Sequence, residues 1–299
     1  MLVPWTEVDG FADALTRASD VVGVDLLAHG TVSDAETIRD TAVAQPLLVA
    51  TALASLRAVL GADVTADLAQ LAPASFDVAA GHSVGEFAAA AASGVLSEGD
   101  ALQLVGVRGR AMAEAATREA TGMSAVVGGV EADVLAKIEQ HRLTAANRNG
   151  GGQIVAAGAL ESLRALAEDV PRAARVIPLQ VAGAFHTSYM ASAVPVLAEA
   201  AASVSSADPA LPLWTNADGS RVTSGAAYLD LLVSQIANPV RWDACMESFQ
   251  QAGITGLIEL TPAGALAGIA KRALKGVPTV AVKTPADLDA AVEMISAAA

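Results

Sequence analysis

Gly81-His82-Ser83-Val84-Gly85 sets a serine between two glycines at the spacing G-x-S-x-G, after an apolar run from Phe76 to Ala80 and before the alanine-rich stretch Glu86 to Ala92. Strand, tight turn and helix in that order are the context in which the spacing forms a nucleophile elbow. The glycines are expected to let strand and helix pack closely, while the serine is forced into a strained turn with its hydroxyl exposed. A helix starting directly after Ser83 points its free N–H groups and positive dipole end at any oxyanion formed there, with the Val84 N–H as the first donor. Five residues of this kind also occur by chance as a plain turn, so the reading rests on both flanks.

A serine nucleophile needs a base, and the chain has four histidines. His82 precedes the serine, so its side chain projects elsewhere and at most lines the pocket. His29 lies in a polar loop and His141 on a charged helix, where a solvated role is the simpler one. His186, in the small-residue loop Gly183-Ala184-Phe185-His186-Thr187-Ser188, is left as the base by elimination; the alternative is a histidine merely bonded within its loop. Arg108 falls on the apolar stripe 101, 104, 105, 108, 111, 112, 115 of the next helix, whereas Arg110 points away. A buried guanidinium needs a partner. An internal Asp or Glu is one candidate, and a substrate carboxylate held by the planar fork is the other; the residues alone leave the two open.

Weaker signals have bland readings. Asn149-Gly150-Gly151-Gly152 follows no phosphate-binding pattern and suits a hairpin loop. Cys245 lies in an amphipathic helix and reads as core. Lys271, Arg272 and Lys275 form a tight basic cluster, read as a solvated helix end or as a dock for phosphates or an acidic protein.

The elements that must carry these residues alternate between strand and helix. Gln45 to Leu60 predicts a buried helix with Pro46 in its first turn, and Asp100 to Ala116 predicts a second. Between Ser124 and Ala184 the order becomes β-α-β-β-α-β: strand Ser124–Gly129, helix Glu131–Arg142, hairpin strands Leu143–Asn147 and Gln153–Ala157, helix Leu160–Val170 and strand Arg175–Val181. That order is the ferredoxin-like motif. We therefore expect an α/β fold in which residues 1–122 and 185–299 form a large domain and residues 123–184 an inserted one. Strands at 214–216 and 257–260, and helices at 228–237, 243–251 and 263–274, resume the large domain.

Composition narrows the class further. The 299 residues are 53% hydrophobic but only 3% aromatic, which excludes disorder. With 18 Lys and Arg against 32 Asp and Glu, the formal net charge is −14, the wrong sign for nucleic acid or an anionic membrane surface. Cys245 is the single cysteine, and no Cys/His cluster has metal-ligand spacing, so neither a disulfide nor a metal cofactor is expected. Met1 to Thr16 lacks the basic start of a signal peptide, and no run is read as reaching the ~18 apolar residues of a membrane span, so the expected location is the cytoplasm.

Several motifs in order resemble one family: the malonyl-CoA:acyl carrier protein transacylases of type II fatty acid synthesis, with the related acyltransferase domains of polyketide synthases. Gly81-His82-Ser83-Val84-Gly85-Glu86 is similar to its GHSxGE, Arg108-Gly109 to its helix arginine, and Gly183-Ala184-Phe185-His186 to its GAFH. Gln235-Ile236-Ala237-Asn238-Pro239-Val240-Arg241-Trp242 is similar to its QxxNPVRW. The resemblance runs from about Thr41 to Val282 and implies an α/β-hydrolase-like large domain with a mainly parallel sheet and a ferredoxin-like insert. It further implies Ser83 as nucleophile, His186 as base, Gln235 as the residue whose backbone carbonyl orients His186, and Val84 as oxyanion donor. Arg108 becomes the malonate ligand, and His82, Phe185 and Met123 become substrate contacts, with the Phe185 ring limiting branched acyl groups. Malonyl-CoA and acyl carrier protein are the implied partners, with no cofactor beyond the thioester substrate. Alternatives sharing the elbow are a discrete polyketide acyltransferase, a serine thioesterase or hydrolase, and a non-catalytic carrier-binding protein.

One family feature has no counterpart. The family opens with a hydrophobic strand and a GQGxQ loop that supplies a second oxyanion N–H, whereas Met1-Leu2-Val3 passes directly to Pro4-Trp5. Such a donor is typically worth about 2.7–4 kcal/mol in the transition state. Strand and donor are both expected to be missing.

Overall fold

In a computed structural model, which describes residues 2–298, the N-terminal half is a stack of helices. Val3–Glu7 forms a short 3₁₀ turn rather than a strand. Its Trp5 is fully buried, stacks on Phe11 with ring centroids 4.9 Å apart, and donates its indole N–H to the Lys283 carbonyl. Helix α1 (Phe11–Val22) runs between glycines in the left-handed conformation at both ends. Helix α2 (Thr41–Leu60) begins four residues before the expected start because the Asp40 carboxylate accepts from the Ala42 N–H, leaving Pro46 inside the helix. Its length and apolar composition suit a membrane span, contrary to the sequence expectation, yet 67% of its most apolar 18-residue stretch is buried inside the protein. Its apolarity is therefore that of a core helix.

Helix α3 (Gly85–Ala92) follows the serine turn, and its alanines pack without bulk between α2 and α4 (Glu98–Ala116), which Ser97 caps. The helices α2 and α4 approach so closely that a Cβ on Gly109 would lie 2.9 Å from the Thr41 carbonyl. Arg57 ties α2 to the next loop through the Asp63 and Ala66 carbonyls and to the start of α4 through Glu98.

The insert follows the expected order: β1 (Thr121–Gly128), α5 (Glu131–Gln140), β2 (Thr144–Gly150), β3 (Gln153–Ala159), α6 (Leu160–Glu168) and β4 (Ala174–Pro178). Its strands lie antiparallel in the order β4-β1-β3-β2. Period-two alternation splits the sheet faces. Val126, Ile154 and Ala156 pack under Val134, Ile138, Leu163 and Leu166 of the two helices, whereas Met123, Ala125, Val155 and Ala157 face Ala184 and Phe185.

The chain then returns to the large domain through α7 (Val194–Ala201), β5 (Leu213–Trp214), β6 (Arg221–Val222) and α8 (Gly225–Ser234). It continues with β7 (Val240–Arg241), α9 (Trp242–Ala252), β8 (Leu257–Glu259), α10 (Ala265–Ala273), β9 (Thr279–Ala281) and α11 (Leu288–Ala298). The result is α/β: a hydrolase-like large domain carrying a ferredoxin-like insert. Parallel pairing in the large domain is short, between β8 and β9 and in one bridge from Ala79 to Leu213. The expected strand at Phe76–Ala80 is reduced to that bridge among the described residues. β7 joins the insert's sheet parallel to β2, so the two domains share backbone hydrogen bonds directly beside the serine turn.

Leu53 is 1% exposed in the middle of α2. Leu53→Ala should lower stability by about 2–5 kcal/mol in urea unfolding, the range for a buried leucine cavity. A loss under about 1 kcal/mol would show that α2 is not packed as a core helix.

Candidate active site

The turn after Ala80 is built by steric exclusion. A Cβ on Gly81 would lie 2.0 Å from the Gly85 carbonyl carbon and 2.3 Å from the Glu86 nitrogen, so only glycine fits there. Gly85 differs from expectation: a Cβ there meets nothing within 4 Å, and its contribution is a backbone that passes under Gly81. Ser83 sits in the left-handed region at φ 52°, a position that costs a non-glycine residue about 1–3 kcal/mol and needs outside support. Asn216 supplies it. Its Oδ1 accepts from the Ser83 N–H at 2.6 Å and its Nδ2 donates to the Gly81 carbonyl at 2.7 Å. The Asn216 backbone N–H in turn donates to Glu86 Oε1 at 2.8 Å. Among the described residues the Val84 N–H has no hydrogen-bond partner and stands at the start of α3, where the helix dipole is positive.

His186 faces the serine from the other side of the cleft. Its Nε2 lies 2.6 Å from Ser83 Oγ and its Nδ1 lies 2.8 Å from the Gln235 backbone carbonyl. A carbonyl only accepts, so Nδ1 carries the proton and Nε2 presents its lone pair to the serine hydroxyl. Burial, reinforced by the Arg108 charge, pushes the imidazole down to about 3, so it is neutral at any ordinary pH. His186 also has a left-handed backbone, at φ 61°. Thr187 steadies that turn by donating to the Ala184 carbonyl at 2.6 Å, and the Ala184 N–H donates to Thr121 Oγ1 at 3.1 Å.

Arg108 is 1% exposed. Among the described residues no carboxylate touches it. Nη1 donates to Gln45 Oε1, Nη2 donates to Gln235 Oε1 at 2.8 Å and lies 3.3 Å from Ser83 Oγ, and Nε is buried without a partner. The guanidinium carbon stands 5.9 Å from the centre of the Phe87 ring. Burial lowers its pKa to about 10, opposed by the charge of Glu86, and it stays cationic.

The remaining expected residues lie around this core in different roles. His82 Nε2 pairs with Asn149 Oδ1 at 2.8 Å and its ring meets the Trp242 edge, so it fastens the insert's hairpin to the elbow. Phe185 and Met123 share one small cluster on the insert's inner face, with Met123 buried behind. His29 bonds Ser33 and His141 bonds Asp169, both away from the serine. Exposed Arg272 donates from Nε to the Gly151 carbonyl and from Nη1 to the Gly268 carbonyl, tying α10 to the insert's hairpin. Cys245 is buried and pushed up to about 12, which keeps it a thiol. No metal-binding group of side chains occurs among the described residues.

Sequence reasoning gave no role to Gln45, Glu86 or Asn216. Gln45 lay at the expected start of a helix and Asn216 in a strand-turn segment. An uncharged amide carries no signal until a neighbour is known. Glu86 carried one overlooked cue, an acid in the first turn of an otherwise apolar helix.

A serine-histidine pair on such a turn, in an α/β fold, is the machinery of an enzyme that forms an acyl ester on serine. The chain belongs to the acyl transferase domain family, whose profile matches residues 6–291. A malonyl CoA-acyl carrier protein transacylase of Mycobacterium tuberculosis is 50% identical over 97% of this chain and 93% of its own. The crystal structure of MCAT from that organism superposes with a TM-score of 0.90 at 49% identity, covering 97% of this chain and 94% of that one. A malonyl-transacylase bound to a type II PKS acyl-carrier protein gives a TM-score of 0.88 at 28% identity, covering 98% and 94%.

Asn216→Ala should leave the Ser83 N–H and Gly81 carbonyl unpartnered at a cost of about 1–3 kcal/mol each. Urea unfolding measures the stability loss and single-turnover acylation the accompanying loss of rate. Wild-type values for both would show that the turn holds without the amide.

Proposed function

We propose that this enzyme moves a malonyl group from coenzyme A to the phosphopantetheine thiol of an acyl carrier protein, through a malonyl ester on Ser83. The observation that carries this reading is Arg108: a buried cation 3.3 Å from Ser83 Oγ whose only direct partners are uncharged oxygens. A guanidinium in that position is completed by a carboxylate on the acyl group. The family's reaction and its relatives' substrates agree with that charge.

The steps follow from the geometry. His186 Nε2 takes the Ser83 hydroxyl proton as Oγ forms a bond to the thioester carbon. The resulting oxyanion is placed for the Val84 N–H and the first turn of α3. The C–S bond then breaks, and the departing thiolate takes the proton back from His186. The carrier thiol reverses the sequence: it gives its proton to His186, attacks the malonyl ester, and releases Ser83 as the hydroxyl. A carboxylate is not needed behind His186, because the Gln235 carbonyl fixes its tautomer and burial keeps it neutral. Arg108 binds the free malonyl carboxylate and holds the thioester carbon near Oγ. Phe185 bounds the pocket on the insert side. In this reading the Val84 N–H, free at the start of α3, is the assigned oxyanion donor. No cofactor is required, and an acidic protein with one unpaired, buried cysteine suits the cytoplasm.

Intact-protein mass spectrometry after mixing with malonyl-CoA should show a gain of one malonyl group, absent from Ser83→Ala. A folded wild type without an adduct would refute the transferase reading, and malonate release outpacing carrier loading would make the enzyme a hydrolase. Arg108→Ala should reduce malonyl loading by about 100-fold, in line with losing a charge-assisted contact, and acetyl loading far less. Equal losses would make Arg108 structural.

A further inference from the structure

Glu86 is a carboxylate with 1% exposure, within the molecule's interior, that the mechanism above does not use. Both of its oxygens are engaged. Oε1 accepts from the Asn216 N–H at 2.8 Å, and Oε2 accepts from Gln235 Nε2. The Gln235 amide is thereby oriented: its NH₂ end faces Glu86 and the Ser83 carbonyl, and its Oε1 end faces Arg108 Nη2. An amide has one donor end and one acceptor end, so turning it over would set its NH₂ against the N–H groups of Arg108. The carboxylate, the amide and the guanidinium form a single polarised chain, anion to dipole to cation.

We infer that Glu86 is a positioning residue for acyl selection: by fixing which way the Gln235 amide points, it aims the Arg108 fork at the carboxylate of the incoming acyl group. The inference rests on the malonyl-transfer reading. Glu86 touches neither the acyl group nor the serine hydroxyl; one of its oxygens holds the Asn216 N–H behind the Ser83 turn, while its effect on Arg108 passes from the other through Gln235. The same amide's backbone carbonyl holds His186. Disturbing the side chain therefore bears on selection, whereas disturbing the backbone bears on the base.

Glu86→Gln keeps the shape and removes the acceptor-only character. One end of the new amide must donate, and the acceptor within reach is Gln235 Oε1, which turns the Gln235 amide over and costs Arg108 one anchor. Malonyl loading should then fall about 10- to 100-fold, the range for losing one hydrogen bond to a charged group. Acetyl loading needs no carboxylate contact, and the oxygen that Glu86→Gln retains still accepts from the Asn216 N–H behind Ser83, so acetyl loading should stay within about threefold, on the scale of an uncommitted hydrogen bond. In an Arg108→Ala background, Glu86→Gln should change the malonyl-to-acetyl ratio no further, because the two residues act in series. An unchanged ratio in the folded single variant, or an equal fall for both substrates, overturns the inference while leaving the transferase reading intact. Wild type that forms no malonyl adduct overturns that reading instead.

Should Glu86→Gln fail to fold, the wild-type ratio decides. Burial pushes the Glu86 carboxyl up to about 7. The ionisable groups facing it titrate elsewhere: Arg108 near 10, Cys245 near 12, His186 near 3, and Tyr228, whose hydroxyl donates to the Glu86 carbonyl, well above its ordinary value. Protonated Glu86 becomes a donor and releases the Gln235 amide. The malonyl-to-acetyl ratio should therefore be high at pH 8.5 and fall toward pH 6, and a flat ratio over that range overturns the inference.

Discussion

The centre of this structure is a guanidinium taken out of water and given no carboxylate to touch. Removing a charge from solvent costs several kcal/mol unless hydrogen bonds replace the lost hydration, and the arrangement around Arg108 follows from meeting that cost incompletely. Two glutamine oxygens, from α2 and from the turn after α8, satisfy the two ends of the fork. The nearest anion, Glu86, is kept one amide away. A directly paired arginine would be more comfortable in the free enzyme but closed to a ligand. Leaving the pairing to an amide keeps Arg108 in place while its charge remains available next to Ser83.

The same economy of partners explains why two domains are needed. The large domain alone supplies the serine, the arginine and the amides; the base arrives on the segment that leaves the insert. Val240 and Arg241 pair with β2, and His82 reaches Asn149 on that strand, so the insert is anchored to the elbow by backbone and side chain at once. Its inner face carries Ala125, Ala146 and Ala157, small enough to leave room against Phe185. In α3 and on this sheet the alanines of the sequence serve surfaces that meet closely.

Much of this was legible in the sequence because it is carried by period and by glycine. The insert's order, both core helices around the elbow and Ser83 follow from alternation and turn chemistry; His186 came by elimination among four histidines, and Arg108, placed by its stripe position, took its ligand role only from the family resemblance. Element ends were the weaker part: α2 starts at Thr41 because a side chain five residues before Gln45 caps it, and of Phe76–Ala80 only Ala79 is paired, in a single bridge. A strand needs a neighbour, which no local pattern guarantees. The amides were illegible for a related reason. Gln45 and Asn216 are neutral, ordinary residues until the fold brings 63 positions of chain together at Arg108 and 133 at Ser83.

Both reacting residues hold left-handed backbones, at φ 52° and 61°, and neither is a glycine. A single strained residue can be tolerated as a local accident, but two facing each other at 2.6 Å require that both turns be held from outside. Ser83 is held by Asn216, which Glu86 holds; His186 is held by the Gln235 carbonyl and by Thr187 and Thr121. The two sets of restraints meet at Gln235, whose backbone carries the histidine and whose side chain links Glu86 to Arg108. Nucleophile, base and carboxylate ligand are therefore not three separately placed groups. They share one short turn, so a shift there changes the distance between Ser83 and His186 and the aim of Arg108 together, which is why the turn is buried, doubly bonded and closed by a strand that joins the insert.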